Sequence, residues 1–196
     1  NSTFVTVGDN GTILTSTDAT TWTSRTSGIS KWIDAPIYKN STFMTIGQDG
    51  VILTSTDGTT WTSRTSGTSN DFYDVTYGNS TFVAVGDSGQ IFTSSDGTSW
   101  DNRTSGTTND LTGVDYGNST FVAVGMNGTI LSSADGITWT SRTSGTTVGF
   151  TGFDYGNSIF VAVGYSGLIL TSTDGITWTS RTSGTSIKLT GVDYKE

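Results

Sequence analysis

Cysteine and histidine are both absent from the 196 residues, and proline and glutamate each occur once, at Pro36 and Glu196. Without either of the first two there can be no disulfide, no zinc-ribbon site, no Cys or His nucleophile and no imidazole base. Basic residues are also scarce. Nine Lys and Arg stand against 17 Asp and Glu, for a net charge of −8, which argues against nucleic acid as a partner. No run of 18 apolar residues occurs, so no membrane insertion is expected. A secretory leader pattern is not visible either, and the chain opens on Asn1, which reads as a processed or excised piece. Hydrophobic residues make up only 32% of the chain and aromatic ones 11%, so a few large rings must supply much of any core.

What is present is repetition. Asn79-Ser-Thr-Phe-Val-Ala-Val-Gly-Asp-Ser-Gly89 has close copies beginning at Asn1, Asn40, Asn118 and Asn157, always 39 residues apart. The units are 1–39, 40–78, 79–117, 118–156 and 157–195, and the whole of 1–196 reads as one domain. Each unit holds four extended segments. In the third, Thr81–Val85 alternates Phe82 and Ala84 on one face with Val83 and Val85 on the other. Gly86-Asp-Ser-Gly89 predicts a hairpin whose glycines and central residue tolerate positive φ. Gln90–Ser94, Thr98–Arg103 and Leu111–Tyr116 are the remaining segments. Pro36 weakens the fourth segment of the first unit as a strand.

Four short strands in about 40 residues predict a propeller blade, and the class is an all-β, five-bladed β-propeller. The chain starts on the second strand of a blade and ends on a first strand. Residues 189–194 are therefore expected to pair with residues 3–7 and close the ring.

Ser55-Thr-Asp-Gly-Thr-Thr-Trp61, Ser133-Ala-Asp-Gly-Ile-Thr-Trp139 and Ser172-Thr-Asp-Gly-Ile-Thr-Trp178 share one pattern. The third unit has Ser99 before Trp100, and the first has Ala19 in place of Gly. The pattern resembles the Asp-box, or bacterial neuraminidase repeat, of sialidases, sortilin-type receptors and photosystem II assembly factors, one residue shorter than usual. The resemblance implies a propeller and says almost nothing about function, because those families do unrelated things. It makes Asp18, Trp22, Asp57, Trp61, Asp96, Trp100, Asp135, Trp139, Asp174 and Trp178 structural. Each Asp is expected to hold its own turn through backbone N–H groups, and each Trp to lie flat between strands or blades. One carboxylate per turn falls short of a calcium shell, so no metal and no cofactor are expected.

A sialidase-like enzyme is the disfavoured alternative. Arg25, Arg64, Arg103, Arg142 and Arg181 sit at one repeated position and cannot converge on a single carboxylate. Asp115, Asp154 and Asp193 recur near the expected axis, where backbone pairing is their simplest role. No catalytic residue is assigned.

The units differ mainly in two places, the stretch entering each first strand and the hairpin centre. These include Ile29–Asp34, Thr68–Tyr73, Gln48-Asp49, Asp87-Ser88 and Tyr165-Ser166, and a propeller brings both to one face. Variation on one face of a fixed scaffold points to binding, through Lys31, Trp32, Asp71, Tyr73, Asp110, Tyr165 and Lys188. Drift in weakly constrained loops produces the same variation. The expectation is a monomeric, non-catalytic scaffold or binding module of a secreted or cell-surface protein, with a glycan or protein ligand. A neutral, hydroxyl-rich ligand suits the scarcity of Lys. A recently duplicated or engineered propeller without a natural ligand is the other reading.

Overall fold

Alternating apolar and hydroxyl residues, broken by Gly-x-x-Gly and Asp-Gly turns, fold as antiparallel hairpins with almost no helix. The computed structural model describes residues 3–195. Blade 1 holds β1 (Phe4–Val7), β2 (Ile13–Ser16) and β3 (Thr23–Arg25). Blade 2 holds β4 (Ile33–Lys39), β5 (Thr42–Gly47), β6 (Ile52–Ser55) and β7 (Thr62–Arg64). Blade 3 runs through β8 (Phe72–Gly78), β9 (Thr81–Gly86), β10 (Ile91–Ser94) and β11 (Asp101–Arg103). Blade 4 consists of β12 (Leu111–Gly117), β13 (Thr120–Gly125), β14 (Ile130–Ser133) and β15 (Thr140–Ser141). Blade 5 consists of β16 (Phe150–Gly156), β17 (Ile159–Gly164), β18 (Ile169–Ser172) and β19 (Thr179–Ser180). Each four-stranded blade takes its inner strand from one unit and its outer three from the next. The chain is a five-bladed β-propeller.

The core lies between blades rather than within one. Met44, Ile46 and Ile52 of blade 2 pack with Phe72, Val75, Phe82, Ala84 and Phe92 of blade 3. Equivalent clusters join blades 3 and 4, and blades 4 and 5. Fully buried Phe82, Phe121 and Phe160 anchor them, each with a tyrosine of the neighbouring inner strand (Tyr77, Tyr116, Tyr155) 4.5–4.6 Å away. Blades approach closely because their inner strands carry glycine. A Cβ on Gly78 would sit 2.0 Å from the Tyr116 ring, and one on Gly117 would sit 2.3 Å from Tyr155.

Three expectations are modified. In the hairpins it is the central residue and the second glycine that turn left-handed, as at Ser88 (φ 55°) and Gly89 (φ 71°). The first glycine stays extended and serves close approach, since a Cβ on Gly86 would lie 2.0 Å from the Asp71 carbonyl oxygen. Pro36 does not end its strand. β4 absorbs it in a bulge between Asp34 and Ile37, with Ala35 at φ 48°, where the missing N–H leaves no ladder bond broken.

The ring closure does not form. Blade 1 has three strands, and residues 189–194 do not pair with β1. They lie instead along β16, with Leu189 N–H donating to the Gly164 carbonyl at 3.0 Å and the Tyr194 ring over Gly156.

Candidate binding face

The five Ser-x-Asp turns are built alike. In each, Ser Oγ donates to the Asp carboxylate two residues on, at 2.9–3.0 Å. The same carboxylate oxygen accepts the N–H groups two and three residues further along, as with Thr59 and Thr60 on Asp57 at 2.7 and 2.8 Å. Those N–H bonds, together with hydroxyl donors of the same turn (Thr98 foremost for Asp96), hold all five carboxyls below the usual range. Trp61, Trp100 and Trp139 donate their indole N–H to the glycine carbonyl of their own turn, at 3.0, 3.4 and 2.9 Å. They are half-buried, with Trp100 and Trp139 packed on the clusters that join neighbouring blades, while Trp22 is 41% exposed.

The arginines do not converge. Each donates Nε to a hydroxyl on the adjacent strand of its own blade, at 2.7–2.8 Å.

Nearer the axis, carboxylates tie one inner strand to the next. Asp115 accepts Tyr116 N–H and Thr76 Oγ1–H on one oxygen and Tyr155 N–H of blade 5 on the other, at 2.7, 3.1 and 3.0 Å. Asp154 is placed to do the same for Tyr194, and Asp193 accepts Tyr194 N–H. Asp74, unremarked in the sequence, joins this set. Its two oxygens accept Val75 N–H and, in blade 4, Val114 N–H, both at 2.8 Å. Burial pushes its carboxyl up to about 7, against the pull of those bonds and with help from Asp115 and Asp34. Burial raises Asp115 and Asp154 as well. Asp74 escaped notice because its counterparts are Gly113 and Gly152, so no periodicity marks it.

On the variable face the structure brings five of the seven candidates into one run across blades 2, 3 and 4. Trp32 and Tyr73 place their rings parallel, 4° apart in plane with centroids 6.3 Å apart. The Tyr73 hydroxyl donates to Asp87 Oδ1. Burial, then Asp87, Asp110 and Asp71, hold that phenol well above its ordinary range. Asp71 accepts Asp49 N–H at 2.8 Å and Asp110 accepts Ser88 N–H at 2.9 Å, so each loop is tied to the hairpin of the preceding blade. Lys31 pairs with Asp49 at 2.8 Å, both about two-fifths exposed. Tyr165 and Lys188 stand apart on blade 5, with the ammonium 4.8 Å from the ring centroid. Asp49 and Asp87 were visible as variable hairpin positions but not as site residues. Together with Asp71 and Asp110 they put four carboxylates beside two aromatic rings, offset by one lysine.

No family model matches the sequence, and no curated protein matches it. Among solved structures, the computationally designed Ika8 protein superposes with a TM-score of 0.78 at 15% identity, over 100% of this chain and 63% of its own. YCF48 from Cyanidioschyzon merolae gives 0.66 at 19% identity, over 93% and 69%. YCF48 bound to a D1 peptide gives 0.59 at 16%, over 90% and 77%. This chain thus spans 63% of the length of the designed protein. What these likenesses establish is the fold, a β-propeller.

Proposed function

We propose that this chain is a non-catalytic propeller scaffold that binds an extended polypeptide segment carrying a Lys or Arg side chain across the mouth of blades 2 to 4. The Trp32–Tyr73 pair carries the reading. At the equivalent positions the other units hold Asp71, Asp110, Gly149 and Lys188, or Asp34, Thr112, Thr151 and Thr190, so the pair breaks the repeat at one place. Flat rings offer area with few rotors, and the neighbouring carboxylates would favour a cation over the ring faces. That one YCF48 structure holds a D1 peptide supports a polypeptide ligand for this shape of scaffold. A non-enzymatic role is supported by the bonding of the carboxylates. The Asp-box and axial carboxylates are engaged by N–H donors, as structural groups are, rather than held as a pair for acid–base work. We assign the repeat to the Asp-box type on its turn geometry, and a secreted or cell-surface protein is the setting we propose.

The test is a peptide array, with hits titrated against wild type, a Trp32→Ala/Tyr73→Ala double variant and Tyr165→Ala. Affinity should fall in the double variant, hold in Tyr165→Ala, and weaken as salt rises. Unchanged affinity in the double variant removes the site. Hits confined to a glycan array, insensitive to salt, would replace the peptide with a neutral sugar.

A further inference from the structure

The two ends of the fold are complementary. In blades 3, 4 and 5 a tyrosine from the inner strand covers the phenylalanine of the next strand, and that phenylalanine is fully buried. Blade 1 has no inner strand, and Phe4 is 51% exposed. Beside it opens a cleft of about 220 Å³ lined by Phe4, Val5, Ile37, Tyr38, Phe43 and Trp61, among others. It adjoins a larger opening between blades 1 and 2, with which it shares Phe4, Tyr38 and Phe43. At the other end, Leu189-Thr-Gly-Val-Asp-Tyr194 repeats Leu111-Thr-Gly-Val-Asp-Tyr116 of β12 residue for residue. It already lies against β16 as an inner strand should, yet Tyr194 is 47% exposed and, among the described residues, no strand pairs with this segment.

We propose that residues 189–194 of one copy of this chain complete blade 1 of a second copy. The register is supplied by β12 and β13, where Leu111 faces Gly125, Val114 faces Ala123, Asp115 faces Val122 and Tyr116 faces Phe121. Carried over, Leu189 faces Gly8, Val192 faces Thr6, Asp193 faces Val5, and Tyr194 covers Phe4. Lys195 then falls where Gly78 and Gly117 stand, a place that Lys39 already fills in blade 2. The chain's own end lies along β16 and does not pair with β1, which leaves the β1 position open to the end of a second copy. The contact is head to tail, so two copies joined at both ends form a closed ring.

Because the chain lacks cysteine, introduced thiols are unique reporters. Two preparations, Val5→Cys and Asp193→Cys, are mixed and oxidised. A disulfide between the two preparations, absent when either is oxidised alone, is the expected result. Light scattering on wild type should give twice the chain mass. Asp193→Pro removes a ladder donor at the exposed end, because its counterpart Asp115 lies between Val114 and Tyr116, whose N–H groups turn to the axis; it should weaken association by about tenfold or more while its melt is unchanged. A wild type that stays monomeric at every concentration overturns the proposal. So does a Val5→Cys/Asp193→Cys double variant that oxidises within one chain at high dilution, since that is closure by the chain's own end.

Discussion

Replacing Asp74 with Asn should change how stability depends on pH. The carboxyl lies between β8 and β12 with both oxygens bonded to backbone N–H groups, and burial raises it from 3.8 to about 7. A raised folded-state value means the folded chain holds the proton more tightly than the unfolded one. The stability this contributes is complete below pH 3.8 and lost as pH rises through about 7. Three units correspond to at most about 4 kcal/mol over the whole range. Between about pH 5 and pH 8 the same two values give a loss of about 2.5 kcal/mol. The five Asp-box carboxyls are shifted the other way, so their contribution is present above the unfolded value and fades only in acid. Asp115 and Asp154 shift in the same direction as Asp74, so the wild-type slope alone is not diagnostic. The difference between wild type and variant is. Asn cannot ionise, and the acceptor it withdraws from one N–H costs about 1–3 kcal/mol regardless of pH. Urea unfolding followed by tryptophan fluorescence at about pH 5 and pH 8 gives that difference. The variant should recover about 2.5 kcal/mol relative to wild type on going to the higher pH. Parallel curves, with a gap that does not move, would refute the assignment of a raised carboxyl to Asp74.

Other expectations concern stability alone and are read by denaturant titration. Trp100→Ala should cost about 3 kcal/mol, since the ring packs on Phe82 and its N–H is bonded. Arg103→Ala should cost about 1 kcal/mol, from one hydroxyl bond and a pair with the exposed Asp101; the reverse order would exchange the inward and outward assignments of Trp100 and Arg103. Ala19 sits at φ 59° where the other boxes have glycine, so Ala19→Gly should stabilise by about 1 kcal/mol, and a loss would show that φ to be unstrained. Gly117→Ala, whose Cβ would lie 2.3 Å from the Tyr155 ring, should destabilise by about 1–3 kcal/mol. A neutral result there would mean that blades 4 and 5 are not so close.

Blade number, strand order and the offset of blades from units were legible because all are periodic. A phenylalanine, a turn glycine or an Asp-box tryptophan at five equal spacings leaves few alternatives. Local turn chemistry was legible in kind but not in detail, since Gly86 and Gly89 look alike in sequence and serve different ends. The closure was misjudged for a physical reason. Strand phase tells which segment could complete blade 1, but curvature comes from inter-blade contacts such as Tyr155 on Gly117, which no single unit displays. The cross-blade bonds of Asp74 to Val114, Asp49 to Asp71 and Ser88 to Asp110 were hidden for the same reason, because each joins residues about 20 to 40 positions apart. Trp32 and Tyr73 were singled out as departures from the repeat, and only the structure shows their rings parallel.

The division between shared residues that build the propeller and unit-specific residues that bind is tested most directly by making blade 2 and blade 3 match blade 4. The triple change Lys31→Asn, Trp32→Asp and Tyr73→Thr writes in the residues found at Asn109, Asp110 and Thr112. Titrating the best peptide hit against this variant, with its melt recorded alongside, should show binding lost and the melting temperature unchanged. Binding retained by a variant that melts like wild type would contradict the claim.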